Sequence, residues 1–260
     1  MRAIATCHQR EIEGLVPLMK DRADKLLVAK GYFPSRSAAQ AAITAGGVMA
    51  DGVRVEKSSQ LLSSDMEIVA QAAHPYVSRG GLKLAHALDV FGVDPLGRYC
   101  LDIGASTGGF VDVLLQRGAA HVVAVDVGRG QLHERLAGHE RVTSLEQTDA
   151  RALTVEQLLT QPTLIVCDVS FIALEKFLDV PLGLTADTAE CVGLFKPQFQ
   201  VGRAGIGKGG LVKSESAADE AASMFTAWMK EKGWPIHAWT ASPIAGGDGN
   251  AERLFHAVKA

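Results

Sequence analysis

The chain has 260 residues, 26 basic and 29 acidic side chains, a formal charge of -3 and 47% hydrophobic residues. That length leaves room for one substantial domain and one small one, and the charge excludes a protein that coats nucleic acid by global attraction, so any such contact must come from a local basic patch. No run of about 18 apolar residues is present, and MRAIATCHQREIEG carries charges where a signal peptide has its apolar segment, which together predict a cytoplasmic protein without membrane partners. The four cysteines (Cys7, Cys100, Cys167, Cys191) show no C-x-x-C spacing, as expected of a reducing compartment, and the eight histidines show no metal-ligand spacing, so no metal is expected.

Residues 1–18 lack a clear period, so 1–20 are expected to be an N-terminal tail, with Met19 an alternative start. From Asp21 the pattern sharpens. Ala23, Leu26 and Leu27 share a helical face, Gly31 sits where a C-cap falls, and Ser37 with Gln40 fits a capping box for a second helix ending near Gly46. Val48-Met49-Ala50, the turn pair Asp51-Gly52 and Val53-Arg54-Val55 then read as a β-hairpin. A small α+β module is therefore expected over 21–69, followed by a linker over 70–78 that contains Pro75.

From 79 to 260 a larger domain is expected. Its first helix begins near Gly80, with Leu84, Leu88 and Phe91 on one stripe and Lys83 off it. Strands are predicted at 98–103, 121–127, 142–145, 163–169 and 191–195 with helical patterns between them, which is the signature of a parallel sheet covered on both faces. The end differs: WPIHAWTASP and ERLFHAVK are strand-like runs joined by IAGGDGNA, and so predict a final antiparallel pair.

The segment DIGASTGGF at 102–110 is a strand end, a glycine-rich turn and a helix start, the geometry by which bare backbone meets a nucleotide-like cofactor. Dinucleotide sites use G-x-G-x-x-G to bring a helix start onto a pyrophosphate. Here the order is Gly104-Ala-Ser-Thr-Gly108-Gly109, and Asp102 stands two residues ahead. An acid there disfavours pyrophosphate and suits the cationic, phosphate-free S-adenosylmethionine. Asp126, at the end of the next strand and 24 residues beyond Asp102, sits at the separation at which doubly wound folds place an acid on a ribose. Lys83, Asp168, Lys196 and Glu252 flank strand ends or turns, and in a parallel sheet Asp168 and Lys196 fall on the same rim as Gly104. Ser170 lacks a G-x-S-x-G elbow, so it is not expected to be a hydrolase nucleophile.

On YVSRGGLKL, LDIGASTGGF, AVDVG followed by GQL, DVSFI, KPQF, GKGG and SPIAGGDGN, the chain resembles the TlyA (hemolysin A) family of ribosomal-RNA ribose 2'-O-methyltransferases from residue 22 to 259. The resemblance implies an S-four-like RNA-binding domain ahead of an FtsJ/RrmJ-like, Rossmann-like class I S-adenosylmethionine-dependent methyltransferase domain, with a mostly parallel seven-stranded sheet and an antiparallel last strand. It also implies a catalytic tetrad of Lys83, Asp168, Lys196 and Glu252. In that scheme Lys196 is the candidate base, Asp168 orients it, and Lys83 and Glu252 hold the ribose. For the cofactor it implies Gly104, Ser106, Thr107, Gly108 and Gly109 around the methionine part, Asp126 at the ribose and Asp149 at the adenine edge; Asp102 and Asp168 are also cofactor-binding candidates. Asp149, between strand and helix, also reads as a helix cap.

Residues 196–213 hold Lys196, Arg203, Lys208 and Lys213 with five glycines and no acid, a basic loop suited to a phosphate backbone that Arg79 and Lys83 extend. In the small module Arg22, Lys25, Lys30, Arg36 and Arg54 are available, although the second helix is alanine-rich. The expected reaction is methylation of a cytidine ribose in ribosomal RNA, within a ribosomal subunit, with 23S favoured over 16S. Two rival readings are a noncatalytic RNA-binding or ribosome-assembly factor and a membrane-active hemolysin.

Overall fold

A computed structural model describes residues 20–246 and 249–260. Residues 1–19 of the expected 1–20 tail, with the Met19 start, fall outside the described residues, and Lys20 belongs to the first strand instead. The chain divides into two compact units, 1–75 and 76–260.

In the first unit β1 (Lys20–Arg22) leads into α1 (Ala23–Ala29), followed by α2 (Arg36–Thr44), the hairpin β2 (Val48–Ala50) and β3 (Val53–Arg54), then β4 (Leu61–Ser63) and β5 (Ile68–Ala70). β2 pairs antiparallel with both β3 and β5, and β1 pairs with β4. The hairpin turn has positive φ at both Asp51 (48°) and Gly52 (75°), as a two-residue turn of this hand requires. Leu27, Ile43, Val48 and Leu62 are buried together, and Ala39 and Ala42 let the helices approach closely.

The α2 cap differs from expectation. Ser35 is the N-cap, its hydroxyl accepting from Ala38 N at 3.2 Å, while Ser37 lies inside the helix. Gln40 is drawn to a stronger partner, the fully buried Asp24, whose carboxylate takes bonds from Gln40 Nε2 (2.7 Å), Arg36 (2.7 Å) and Arg22 (3.0 Å). Arg22, helped by Arg36 and Gln40, holds the Asp24 carboxyl well below the usual carboxylate range against the opposing effect of burial. β4 and β5, three residues each, leave too little alternation to be read from sequence.

In the second unit α3 (Gly80–Phe91) precedes β6 (Tyr99–Ile103), α4 (Gly109–Gln116), β7 (His121–Val125), α5 (Glu134–Ala137), β8 (Val142–Leu145), β9 (Leu164–Cys167), α6 (Glu175–Gly183), β10 (Glu190–Phe195), α7 (Pro197–Gln200), α8 (Glu215–Glu231), β11 (Ile236–Ala241) and β12 (Arg253–Val258). Seven strands form one sheet in the order β11-β12-β10-β9-β6-β7-β8, parallel from β10 to β8, with β12 antiparallel to both neighbours. The order changes direction between β9 and β6, so a crevice opens beyond their C-terminal ends. The expected linker over 70–78 is shared out: its first residue closes β5, and Tyr76–Ser78 belong to the second unit.

Side-chain alternation divides the core between the two sheet faces. Cys100, Val122, Leu164, Val166 and Leu194 pack with Leu84, Leu88, Phe110 and Leu114 of α3 and α4. Leu101, Ile103, Ile165, Cys167 and Phe195 pack with Leu178 of α6 and Phe225 and Met229 of α8. Burying each of these large side chains contributes about 1.5–3 kcal/mol. Among the described residues no helix is long and apolar enough to cross a membrane, and no cluster of three or more His, Cys, Asp or Glu is placed to hold a metal ion.

Candidate active site

At the C-terminal end of β6 the backbone turns through Gly104 at φ 80° and reaches α4 through Gly108 at φ 91°. A Cβ on Gly104 would stand 2.7 Å from the Asp168 carbonyl oxygen and 2.9 Å from Val169 Cγ2, so only glycine lets β6 and β9 come together here. β9 ends one residue before Asp168 and β10 one residue before Lys196, which delivers both side chains to the rim of this turn.

Two cavities meet there. The larger, about 470 Å³, is lined by Gly104, Ser106, Asp126, Val127, Gln131, Thr148, Asp149, Ile172 and Phe177 among others; the smaller, about 290 Å³, by Ser78, Arg79, Lys83, Thr107, Gly109, Lys196, Ile244 and Ala245. Gly104, Ser106, Asp168 and Ser170 form the wall common to both.

Two ion pairs define the smaller cavity. Lys196 Nζ lies 2.5 Å from Asp168 Oδ1 and donates to Ser170 Oγ at 2.8 Å. Lys83 Nζ lies 2.5 Å from Glu252 Oε2, with the two side chains 10% and 3% exposed. The four tetrad residues, dispersed over 170 positions of sequence, therefore converge as two cation–carboxylate couples. Lys83 reaches the cavity from α3, and Glu252 stands behind it at the start of β12.

In the larger cavity Asp126 Oδ2 accepts from Ser106 N (2.8 Å) and Oδ1 from Gly128 N (2.7 Å), which fixes the carboxylate while leaving acceptor capacity on each oxygen. Asp149 caps a short 3₁₀ turn by accepting from Arg151 N at 2.9 Å and is ion-paired with the Arg151 guanidinium at 2.5 Å. Its side-chain bond to Arg151 holds the Asp149 carboxyl at about 2. Asp149 is thus both a cap and part of the cavity wall.

Asp102 departs from expectation. It shares the sheet face of Cys100, beneath α3 and α4, is fully buried, and lines neither cavity. The Val111 amide lies near enough to favour the ionised form slightly, yet neither carboxylate oxygen makes a well-formed hydrogen bond among the described residues. Burial, reinforced by Asp168 and Asp126, pushes the Asp102 carboxyl well above the ordinary carboxylate range. Under the turn the protonated form is favoured, the opposite of what an anion facing a cation requires. A raised folded-state value means that the native protein keeps a proton that the unfolded chain releases above pH about 4, so Asp102 lowers stability as pH rises from there. Asp102→Asn is expected to raise the melting temperature at pH 7–8 by a few degrees, with the gain shrinking toward pH 4. Thermal unfolding across that range checks it, and a pH-independent difference would contradict the neutral-acid assignment.

Gly108 also lies outside both cavities. Its φ of 91° favours glycine, and a Cβ there would also push aside the ends of Leu136 and Leu132. Among the residues expected to meet RNA, Arg79 donates to Ala245 O at 3.3 Å beside the smaller cavity, and Arg203, Lys208 and Lys213 are exposed on the glycine-rich loop. In the first unit Arg22 and Arg36 are held by Asp24, Lys25 lies 3.9 Å from Asp21, and Arg54 lies 3.6 Å from Glu56.

Sequence reasoning passed over Phe171. It is 91% exposed, has φ 69°, lines the larger cavity and packs on Phe199 with ring centroids 5.3 Å apart. A positive φ at an aromatic residue is strained by about 1–2 kcal/mol, and a solvated phenyl ring offers no burial in return. Its only sequence signal is an aromatic side chain three residues after a site acid.

A glycine turn at the crevice of a mostly parallel sheet, with an antiparallel strand inserted beside β10 and acids around the larger cavity, defines the class as a Rossmann-like methyltransferase. Residues 76–259 match the FtsJ-like methyltransferase model and residues 21–68 the S4 domain model. The chain is 42% identical over 233 residues to the 16S/23S rRNA (cytidine-2'-O)-methyltransferase TlyA of Mycobacterium tuberculosis, covering 89% of this chain and 87% of that one. It is 39% identical over 185 residues to the 23S rRNA (cytidine-2'-O)-methyltransferase TlyA of Campylobacter jejuni, covering 71% of each. A solved Streptococcus thermophilus structure described as a "putative hemolysin" superposes with a TM-score of 0.73 at 38% identity, covering 93% of this chain and 89% of that one. The chain belongs to the TlyA family of FtsJ-like methyltransferases that carry an S4 domain.

Proposed function

We propose that this protein methylates the ribose 2'-hydroxyl of a cytidine in ribosomal RNA, using S-adenosylmethionine, in the cytoplasm. The observation that carries the reading is the common wall: Asp168 and Ser170 border both cavities, and Lys196 is bound to both residues at their junction.

The larger cavity suits an adenosine. Asp126 retains acceptor sites for ribose hydroxyls, Ile172, Val127 and Phe177 offer apolar surface to a base, and Asp126, Asp149 and Asp168 disfavour a pyrophosphate. Bound there, S-adenosylmethionine supplies an electrophilic methyl group on a sulfonium. The bare backbone at Gly104 admits its reacting end to the common wall. In the smaller cavity Lys83 and Lys196 present their amino groups to a ribose and its flanking phosphate, and Ile244 and Ala245 add apolar lining. Asp168 and Ser170 fix Lys196 Nζ where it would accept the 2'-hydroxyl proton as the oxygen–methyl bond forms and the sulfur–methyl bond breaks. The positions of Lys83 and Lys196 suit a hydroxyl acceptor, for which proton removal and placement are the two requirements.

Phe171 borders the chamber assigned to the adenosine but is 91% exposed, so most of its ring is open to an RNA nucleobase. A base unstacked from RNA needs a new π-face, and base–aromatic stacking contributes about 1–3 kcal/mol. Phe171→Ala is expected to lower methylation efficiency by roughly tenfold to a hundredfold, Phe171→Trp to retain most of it, and cofactor affinity to change little. Steady-state kinetics with titration calorimetry separate these effects, and an equal loss of cofactor affinity would assign the ring to the cofactor instead.

The S4 domain and both rRNA-modifying relatives favour ribosomal RNA, and 23S is the substrate that the two relatives share. The decisive experiment is transfer of a labelled methyl group from S-adenosylmethionine to isolated 30S and 50S subunits and their naked RNA. Label mapped to a cytidine 2'-oxygen, first in 23S rRNA, is the expected result. Cofactor binding without label in any RNA would refute it.

A further inference from the structure

We propose that Asn250 is a positioning residue that holds the glycine-rich basic loop in its RNA-binding arrangement and ties that loop to the Glu252–Lys83 couple. The proposal rests on the RNA-methylating reading and adds to it a residue that contacts neither cavity.

The loop over Gly205–Lys213 is a small flap. Ile206 and Val212 form an isolated antiparallel bridge, Gly207 N donates to Leu211 O at 2.7 Å, and Lys213 N donates to Gly205 O at 2.9 Å, leaving Lys208, Gly209 and Gly210 at the tip. Glycines make such a flap expensive to order, because each loses more backbone freedom than any other residue. Something outside the flap must therefore fix it if Lys208 and Lys213 are to meet a phosphate backbone without a large ordering penalty at the moment of binding.

Asn250 supplies that tie. It is 5% exposed, its Oδ1 accepts from Val212 N at 3.1 Å, and its Nδ2 donates to Gly210 O at 3.1 Å. A carboxamide offers an acceptor and a donor side by side; a carboxylate or an aliphatic side chain of the same size cannot do both. The backbone of the same residue is anchored too, its carbonyl accepting from Gly246 N at 3.2 Å. Two residues on, Glu252 O accepts from Ser242 N at 3.0 Å while the Glu252 carboxylate holds Lys83. One short segment thus carries an amide toward the flap and a carboxylate toward the ribose-binding lysine, so a flap seated on phosphate is mechanically continuous with the reacting centre.

The test is a double-mutant cycle on the full-length protein, with a 23S rRNA transcript and isolated 50S subunits as probes. Binding is measured at several salt concentrations in the wild type, Asn250→Ala, Lys208→Ala/Lys213→Ala and the triple variant, with calorimetry for S-adenosylmethionine and kcat and KM for methylation. Asn250→Ala is expected to weaken RNA binding by roughly five- to twentyfold and to reduce the salt slope by about one, with cofactor affinity within about twofold. In the Lys208→Ala/Lys213→Ala background it should add less than about twofold, because the charges it positions are gone. Asn250→Asp keeps the shape and the Val212 bond but turns an oxygen on Gly210 O, so it should show the same RNA-selective loss and serves if the alanine variant is poorly folded. Equal losses in both backgrounds, a matching loss of cofactor affinity, or no salt-dependent RNA binding by the wild type would overturn the proposal. An RNA-binding cycle as expected in a protein that methylates no RNA would instead sink the proposed reaction and leave the positioning role intact.

Discussion

Lys196→Ala is expected to reduce methyl transfer to RNA by about 10²–10⁴, with cofactor affinity changed by no more than about threefold. The expectation follows from placement. Lys196 Nζ is held by Asp168 and Ser170 at the wall that both cavities use, so on the proposed reaction its loss removes the proton acceptor and the group that aims the hydroxyl and leaves the larger cavity, which Lys196 does not line, untouched. Lys196→Arg separates the two roles. A guanidinium keeps the charge and can pair with Asp168, but it does not give up a proton in this pH range. Arg should therefore be almost as inactive as Ala if proton removal dominates, and retain activity within about tenfold of wild type if charge and aim suffice. Single-turnover rates between pH 6 and 10 are the appropriate measurement, since a rise with pH in the wild type that disappears in the Arg variant identifies Lys196 as the titrating group. A fully active Lys196→Ala variant would remove the residue from the mechanism.

Breaking the second couple should be felt in the fold as well as in the rate. Lys83→Ala leaves the Glu252 carboxylate, 3% exposed, without its cation, and an uncompensated buried charge destabilises by about 3–5 kcal/mol. The Lys83→Met/Glu252→Gln double variant removes both charges and replaces the lysine stem with a side chain of similar reach, so it should recover most of that stability. On the proposed reaction neither variant should recover methylation, because the Lys83 amino group that lines the smaller cavity is absent from both. Denaturant unfolding of the wild type, Lys83→Met, Glu252→Gln and the pair gives the coupling energy directly. A Lys83→Ala variant as stable as wild type would mean that water reaches Glu252 and that the couple is far less enclosed than its exposure indicates.

Much of the second unit was legible because its signals are local. The strand–turn–helix at 99–116, the alternation of apolar strands with helices and the final antiparallel run all depend on residues close in sequence. The strands were drawn slightly too long where Asp126 and Asp168 leave the ladder to serve the loops: Asp126 spends its oxygens on the amides of Ser106 and Gly128. The tetrad was a different matter. Nothing local links Lys83 to Glu252; their pairing depends on β12 entering the sheet beside β10 and on α3 lying over that face, and only resemblance to a family brought them together on paper. Asp102 shows a subtler limit. Its position before the turn was correctly seen, but which side of the pleat it occupies decides between cavity and core, and a period of two carries no absolute phase. Phe171 and Asn250 were missed for the opposite reason. Each sits in a segment that reads as an ordinary turn, and the strain at one and the enclosure of the other are three-dimensional properties. In the first unit Ser37 looked like a helix cap because Gln40 follows at the right distance, yet a buried acid 16 residues earlier had the stronger claim on that amide.

The wall shared by Gly104, Ser106, Asp168 and Ser170 has a pharmacological side. Compounds built for either chamber alone must each give up their freedom of motion and, on the proposed reaction, compete with S-adenosylmethionine or with ribosomal RNA. A ribonucleoside joined through its 2'-oxygen by a one-atom bridge to an adenosine analogue would cross at the point where no side chain projects from Gly104. It would lose translational freedom once rather than twice, and each half would hold the other at high effective concentration. On the proposed reaction, selectivity over enzymes that methylate small molecules would come from the nucleoside half, because Lys83 and Lys196 line the smaller chamber and not the larger.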